Sequence, residues 1–163
     1  MPTRALALAT GVAVVGAVLV GAAPSAYGGT TAPYCRLDVE TGALTCSSTE
    51  EGLGSAVREG RADAASVASA SVLGRLYDDS GRTGPYLELT ASGPCDSNAD
   101  VDWEVANVGS TWNDRTSSFQ GFNGCQLKVF ENASFGGASY GPATSTDYVG
   151  SAMNDRTTSV RFS

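Results

Sequence analysis

Two near-identical hexapeptides limit what this chain can fold into more than any other feature. NDRTSS occupies Asn113 to Ser118 and NDRTTS occupies Asn154 to Ser159, with five of six positions identical and the copies offset by forty-one residues. Each copy follows an aromatic-led, glycine-containing stretch: YDDSGRTGPY from Tyr77 to Tyr86 before the first, and FENASFGGAS from Phe130 to Ser139 before the second. Self-similarity at that spacing marks a duplicated supersecondary unit.

The runs around the repeats read as strands. Tyr86–Thr90 alternates with Leu87 and Leu89 on one face, and Gln126–Phe130 and Ser159–Ser163 alternate as well. Gly, Asp and Asn clusters separate them. Short strands with this punctuation predict an all-β sandwich. A hairpin that folds back on itself needs a residue tolerant of positive φ, which is Gly. Aromatic rings can cover such a fold, and a Ser can hydrogen-bond across it.

On these residues the chain resembles the βγ-crystallin family, in particular its microbial calcium-binding members. The family unit is a four-stranded Greek key whose first hairpin carries an aromatic-x4-aromatic-x-Gly-x-Ser pattern. Phe130, Phe135, Gly137 and Ser139 match it in full, whereas the first unit keeps Tyr77 and Gly84 but has Arg82 for the second aromatic and Tyr86 for the Ser. The resemblance implies two keys, 72–122 and 123–163, in one domain over 72–163. Both hexapeptides satisfy the family's Asn/Asp-Asn/Asp-x-x-Ser/Thr-Ser calcium motif.

The resemblance also implies a ligand set. Carboxylates come from Asp114 and Asp155, hydroxyls from Ser117 and Thr158, and main-chain carbonyls from Arg115 and Arg156. A further carbonyl follows each leading aromatic, at Asp78 and Glu131. The motifs exchange ligands, so each site draws on both. Calcium takes six to eight oxygens and accepts carbonyls, hydroxyls and water beside carboxylate, so one carboxylate per site predicts weak binding, about 10⁻⁶ to 10⁻³ M. Asn-Asp followed by Ser or Thr also makes good turns without a metal.

Composition narrows the rest. The chain has no His, which removes the usual general base and any Ser-His-Asp arrangement. The first residues hold Arg4, an apolar run from Ala5 to Ala23 and then small residues, the layout of a secretory signal peptide over 1–26, cleaved between Ala22 and Gly28. A membrane span is the rival reading of that run. Without Arg4, nine basic residues face seventeen acidic ones, a net charge near −8, which argues against nucleic acid and suits hard cations.

Export favours oxidised cysteines, and four cysteines allow three pairings. Cys35–Cys46 would close a short local loop, and Cys95–Cys125 would tie two parts of the C-terminal domain. Residues 27–71 are expected to form a separate piece, with a tight turn between the first two cysteines, a helix from Thr49 to Glu59 opened by a Ser48-x-x-Glu51 capping box, and an Ala/Ser-rich spacer.

Other residues take plainer readings. Trp112 is expected as core or half-buried cover, and Trp103 and Tyr148 as core aromatics. Asp100, Asp102 and Glu104 would share a strand face and make a solvated edge in preference to a catalytic acid pair. The leading function is thus a secreted, monomeric calcium-binding protein with no enzymatic activity. One alternative is a protease inhibitor, because some secreted bacterial metalloprotease inhibitors resemble a single βγ-crystallin-like domain with disulfides, and the stretch from Gly93 to Asp102 is exposed-looking and anchored by Cys95. Another is an envelope or carbohydrate-binding module using Trp103, Tyr86 and Tyr140; an extracellular protein or envelope partner goes with either.

Overall fold

A computed structural model describes residues 33–59 and 70–163; the expected signal peptide and the Ala/Ser-rich spacer lie outside the described residues. The strands are β1 (Tyr34–Asp38), β2 (Leu44–Ser47), β3 (Ser71–Asp79), β4 (Thr83–Ala91), β5 (Trp103–Val105), β6 (Ser118–Gly121), β7 (Leu127–Phe130), β8 (Ser139–Ala143), β9 (Ser145–Thr146) and β10 (Ser159–Phe162). One helix, α1, spans Glu50–Glu59, and a 3-10 turn spans Ala133–Phe135. Among the described residues no helix is long and apolar enough to cross a membrane.

The strands form two sheets, ordered β2-β1-β4-β3-β6-β9 and β5-β10-β7-β8. Strands β3, β4 and β6 of the first key receive β9 from the second, and β7, β8 and β10 of the second receive β5 from the first. This reciprocal exchange is the two-key sandwich that the repeat implies. Leu73, Leu76, Leu87, Leu89, Phe119, Leu127 and Phe162 fill the space between the sheets with no residual exposure. Burying a side chain of that size contributes about 1.5–3 kcal/mol.

The N-terminal turn and helix dock on the edge of the first sheet. Strand β1 pairs in parallel with the free edge of β4, and β2 pairs antiparallel outside it. Cys35 and Leu37 join the main core. Strand β4 is therefore covered on both faces: Leu87 and Leu89 point into the sandwich, while Tyr86, Glu88 and Thr90 are also buried. Register sets Arg36, Glu88 and Arg75 side by side across three strands. Glu88 accepts from Arg36 Nε at 2.7 Å and from Arg75 Nε at 2.9 Å, so the buried carboxylate is held between two guanidiniums. A parallel pairing of this kind leaves little periodic trace in a five-residue strand.

Both expected disulfides form, Cys35–Cys46 between directly opposed residues of β1 and β2, and Cys95–Cys125 within the sandwich. The helix is capped one residue later than the capping-box reading placed it. Thr49 Oγ1 accepts from Gly52 N at 3.0 Å. Gly52 supplies close approach in place of a reciprocal side chain, because a Cβ there would lie 2.1 Å from Ser47 Oγ. Leu53 and Val57, one turn apart, face Tyr77, Tyr86 and Tyr34 in a second small core.

Candidate metal centre

The two hexapeptides are built alike and meet at one end of the sandwich. Each follows a glycine with positive φ, Gly109 or Gly150. The Gly109 carbonyl accepts from the amides of Trp112 and Asn113, and the Gly150 carbonyl from those of Met153 and Asn154. Trp112 and Met153 are plugs driven into the core, 0% and 2% exposed. Asp114 and Asp155 then adopt left-handed backbone, φ 58° and 56°, a conformation Asp tolerates better than most residues.

The left-handed step turns each copy toward the other. Asp114 N donates to Thr157 O at 3.1 Å, and Asp155 N donates to Thr116 O at 3.2 Å. Asn113 Nδ2 braces Asp114 Oδ2 at 2.8 Å, and Asn154 Nδ2 braces Asp155 Oδ2 at 2.6 Å. Asp155 Oδ1 accepts from Ser117 Oγ at 3.4 Å, across the repeat.

Two open hollows result. One contains Asp78, Arg115 and Ser117 from the first key and Asp155 from the second. The other contains Glu131, Arg156 and Thr158 from the second key and Asp114 from the first. Asp114 and Asp155 border both. The structure thus brings together all eight residues that the resemblance singled out, divided between two hollows.

The hairpins that carry Asp78 and Glu131 are locked by the last residue of each hexapeptide. Ser118 Oγ donates to Asp79 O at 2.6 Å and accepts from Arg82 N at 2.9 Å. Ser159 Oγ donates to Asn132 O at 2.6 Å and accepts from Phe135 N at 3.0 Å. The serine that bridges the fold is therefore the motif serine, not Ser139 of the hairpin pattern. Arg82 occupies the backbone place of Phe135, both at positive φ. Its side chain reaches Asp147 at 2.8 Å, whereas Phe135 packs edge-on to Phe130.

Charge is unevenly shared. Arg156 forms an ion pair with Glu131, and Arg115 Nη1 stands 3.9 Å from Asp78 Oδ1. Burial pushes the Asp78 carboxyl above its ordinary value; Arg115 opposes this, and the neighbouring Asp79 and Asp155 charges add to it. Negative charge that repels itself in a hollow is a setting that a cation relieves.

The donor set is all oxygen. Among the described residues no group of three or more His, Cys, Asp or Glu side chains is placed to hold a metal ion unaided. A cation here must draw on hydroxyls, main-chain carbonyls and water beside the carboxylates. That composition fits a hard ion of flexible coordination and does not fit zinc or copper. Asn113 Oδ1, buried beside both hollows without a hydrogen-bond partner, adds a further unspent oxygen.

Several readings of the sequence change. Tyr148 is 47% exposed, because Val149 is the residue of that loop that turns inward. Strand β5 starts only at Trp103, so Asp100 lies in the preceding loop and does not share a face with Glu104, which pairs with Arg161 at 2.7 Å. Tyr86 is 6% exposed and presents no face to a sugar; Tyr140 packs edge-on to Phe119. Sequence reasoning missed Glu50, whose carboxylate accepts from Tyr86 Oη at 2.8 Å. The departure of Tyr86 from the hairpin pattern was the signal that could have found it.

These features define an all-β, βγ-crystallin-like sandwich of two strand-exchanged keys with paired acidic hollows. No protein-family model and no curated protein matches the sequence. Solved structures similar to it include a double mutant of a betagamma-crystallin domain from Clostridium beijerinckii, 23% identical, covering 56% of this chain and 97% of that one, with a TM-score of 0.43. A double mutant of clostrillin in complex with nickel is 23% identical over 56% of this chain and 98% of that one, with a TM-score of 0.43. A betagamma-crystallin domain from Flavobacterium johnsoniae is 22% identical over 56% and 93%, with a TM-score of 0.39.

Proposed function

We propose that this is an exported calcium-binding protein in which two ions stabilise the two-key sandwich. The observation that carries the reading is the crossing of the motifs: Ser117 of one copy faces Asp155 of the other, as ligand exchange requires. In the first hollow the Asp155 carboxylate, the Ser117 hydroxyl and the Asp78 carbonyl would hold the ion. In the second, Asp114, Thr158 and the Glu131 carbonyl would do so. Carbonyls of Arg115 and Arg156 complete the set.

The unfolded chain cannot assemble oxygens that lie so far apart in sequence, so calcium binds the folded state and stabilises it by mass action, about 2.7 kcal/mol for each ion at a hundred times its Kd. Export rests on the signal-like N-terminus and on the two disulfides, and extracellular calcium suits weak sites. The test is scanning calorimetry in millimolar calcium and then in chelator. The transition should rise with calcium, and Asp114→Ala combined with Asp155→Ala should remove the rise. An unchanged transition in the wild-type chain would sink the reading.

One segment favours protease inhibition as a second reading. Residues 96–101 are exposed and follow a disulfide anchor at Cys95. Asp96 braces Asn98 through two bonds of 2.8 Å, and Asn98 accepts from Asp100 N at 2.6 Å. A self-braced exposed loop costs little entropy to present to a protease. Incubation with a panel of secreted proteases separates the readings: inhibition that is retained by the Asp114→Ala/Asp155→Ala double variant supports this one.

A further inference from the structure

The two hollows sit on a pseudo-symmetric frame, but among the described residues only the first has extra structure packed behind its hairpin. Tyr86 lies directly across from Tyr77 in the β3–β4 hairpin. Its ring meets Tyr77 edge-on at 5.9 Å and Tyr34 of β1 edge-on at 5.3 Å, and the Arg75 guanidinium lies 4.3 Å from its centroid. Its hydroxyl donates to Glu50 at the start of α1. Leu53 and Val57 close the same cluster. In the second key the corresponding hairpin residue is Ser139, which is exposed.

Tyr77 connects this cluster to the first hollow. Its carbonyl accepts from Ser117 N at 2.9 Å, and the next residue is Asp78. Among the described residues the cluster around α1 includes no residue of the second key, where the equivalent bond runs from Thr158 N to Phe130 O at 2.9 Å. An ordered strand end lowers the entropy lost when its carbonyl and the facing hydroxyl are immobilised by a ligand.

We propose that the N-terminal hairpin and helix are a positioning element for the first hollow alone: the Glu50–Tyr86–Tyr77 contact holds the strand end that carries Asp78 against Ser117. The segment thereby sets the calcium affinity of that hollow and leaves the second unaffected. The affinity statement rests on the calcium reading above, whereas the positioning statement does not.

Amide NMR on the full chain separates the two. Hydrogen exchange at Ser117 and Thr158 is measured without metal, and the same two amides are then followed through a calcium titration. Tyr86→Phe and Glu50→Ala should speed exchange at Ser117 and leave Thr158 unchanged. They should raise the calcium concentration at which Ser117 titrates by about fivefold, a coupling of ordinary size, with no shift at Thr158. Glu50→Gln, which keeps an acceptor for the tyrosine hydroxyl, should restore both readouts. Equal changes at the two amides, as general destabilisation would produce, or no change at either, would overturn the proposal. If wild-type Ser117 does not titrate with calcium, the calcium reading fails and the exchange data still decide the positioning.

Discussion

Ser117 donates its hydroxyl to the carboxylate of Asp155 at 3.4 Å, although 38 residues separate the two and each belongs to a different copy of the repeat. The contact makes the two hexapeptides one unit. Removing either partner strips the same hollow, so their effects should not add. Ser117→Ala and Asp155→Ala should each weaken calcium binding, and the double variant should be about fivefold less impaired than the product of the singles, a coupling of about 1 kcal/mol. Titration calorimetry on the four proteins checks this; strictly multiplicative losses would contradict the crossed arrangement.

The buried Arg36–Glu88–Arg75 array predicts a large stability effect remote from the hollows. Glu88→Ala leaves two guanidiniums facing each other inside the sheet, and losing one partner of a buried charged set costs about 3–5 kcal/mol. Both arginines are partly exposed, at 26% and 30%, which moves the expected cost to the lower end of that range. Urea unfolding should show a lower midpoint with an unchanged slope.

Tyr86 predicts how stability changes at alkaline pH. Burial raises its phenol above the ordinary value, and the hydrogen bond to Glu50 adds to the rise. Between the ordinary phenol value, about 10, and the raised one, the unfolded chain has lost the proton that the folded chain keeps. Stability therefore falls as pH rises through that window. Tyr86→Phe should flatten that part of the profile, measured by denaturant midpoints from pH 8 to 11. A wild-type profile level above pH 10 would contradict the burial of this hydroxyl.

The hairpin locks give a paired prediction. Ser118→Ala frees the Asp79 carbonyl and the Arg82 amide, and Ser159→Ala frees the Asn132 carbonyl and the Phe135 amide. Each change should cost about 0.5–1.5 kcal/mol per lost bond, the usual net contribution of an intramolecular hydrogen bond, because the freed groups belong to exposed or half-buried residues that water reaches. Thermal unfolding in chelator measures this without any contribution from calcium. The two costs should be similar, because the two serines make the same pair of bonds.

What the sequence determined by itself was local chemistry. Strand alternation, turn glycines and the hexapeptide repeat depend on residues within a few positions of one another, so the all-β class and the duplication were legible in it, while the residues of the hollows followed from the family resemblance that the repeat carries. The tertiary structure decided which copy serves which hollow. That follows from the exchange of β5 and β9 between sheets, a non-local pairing with no periodic signature. It also decided the place of residues 33–59. Strand β1 commits Cys35 and Leu37 to the core through a parallel edge pairing, and Tyr86 and Glu50 recognise each other across 36 residues. Such contacts depend on shape and charge brought together by the whole fold, so no window of the sequence contains them.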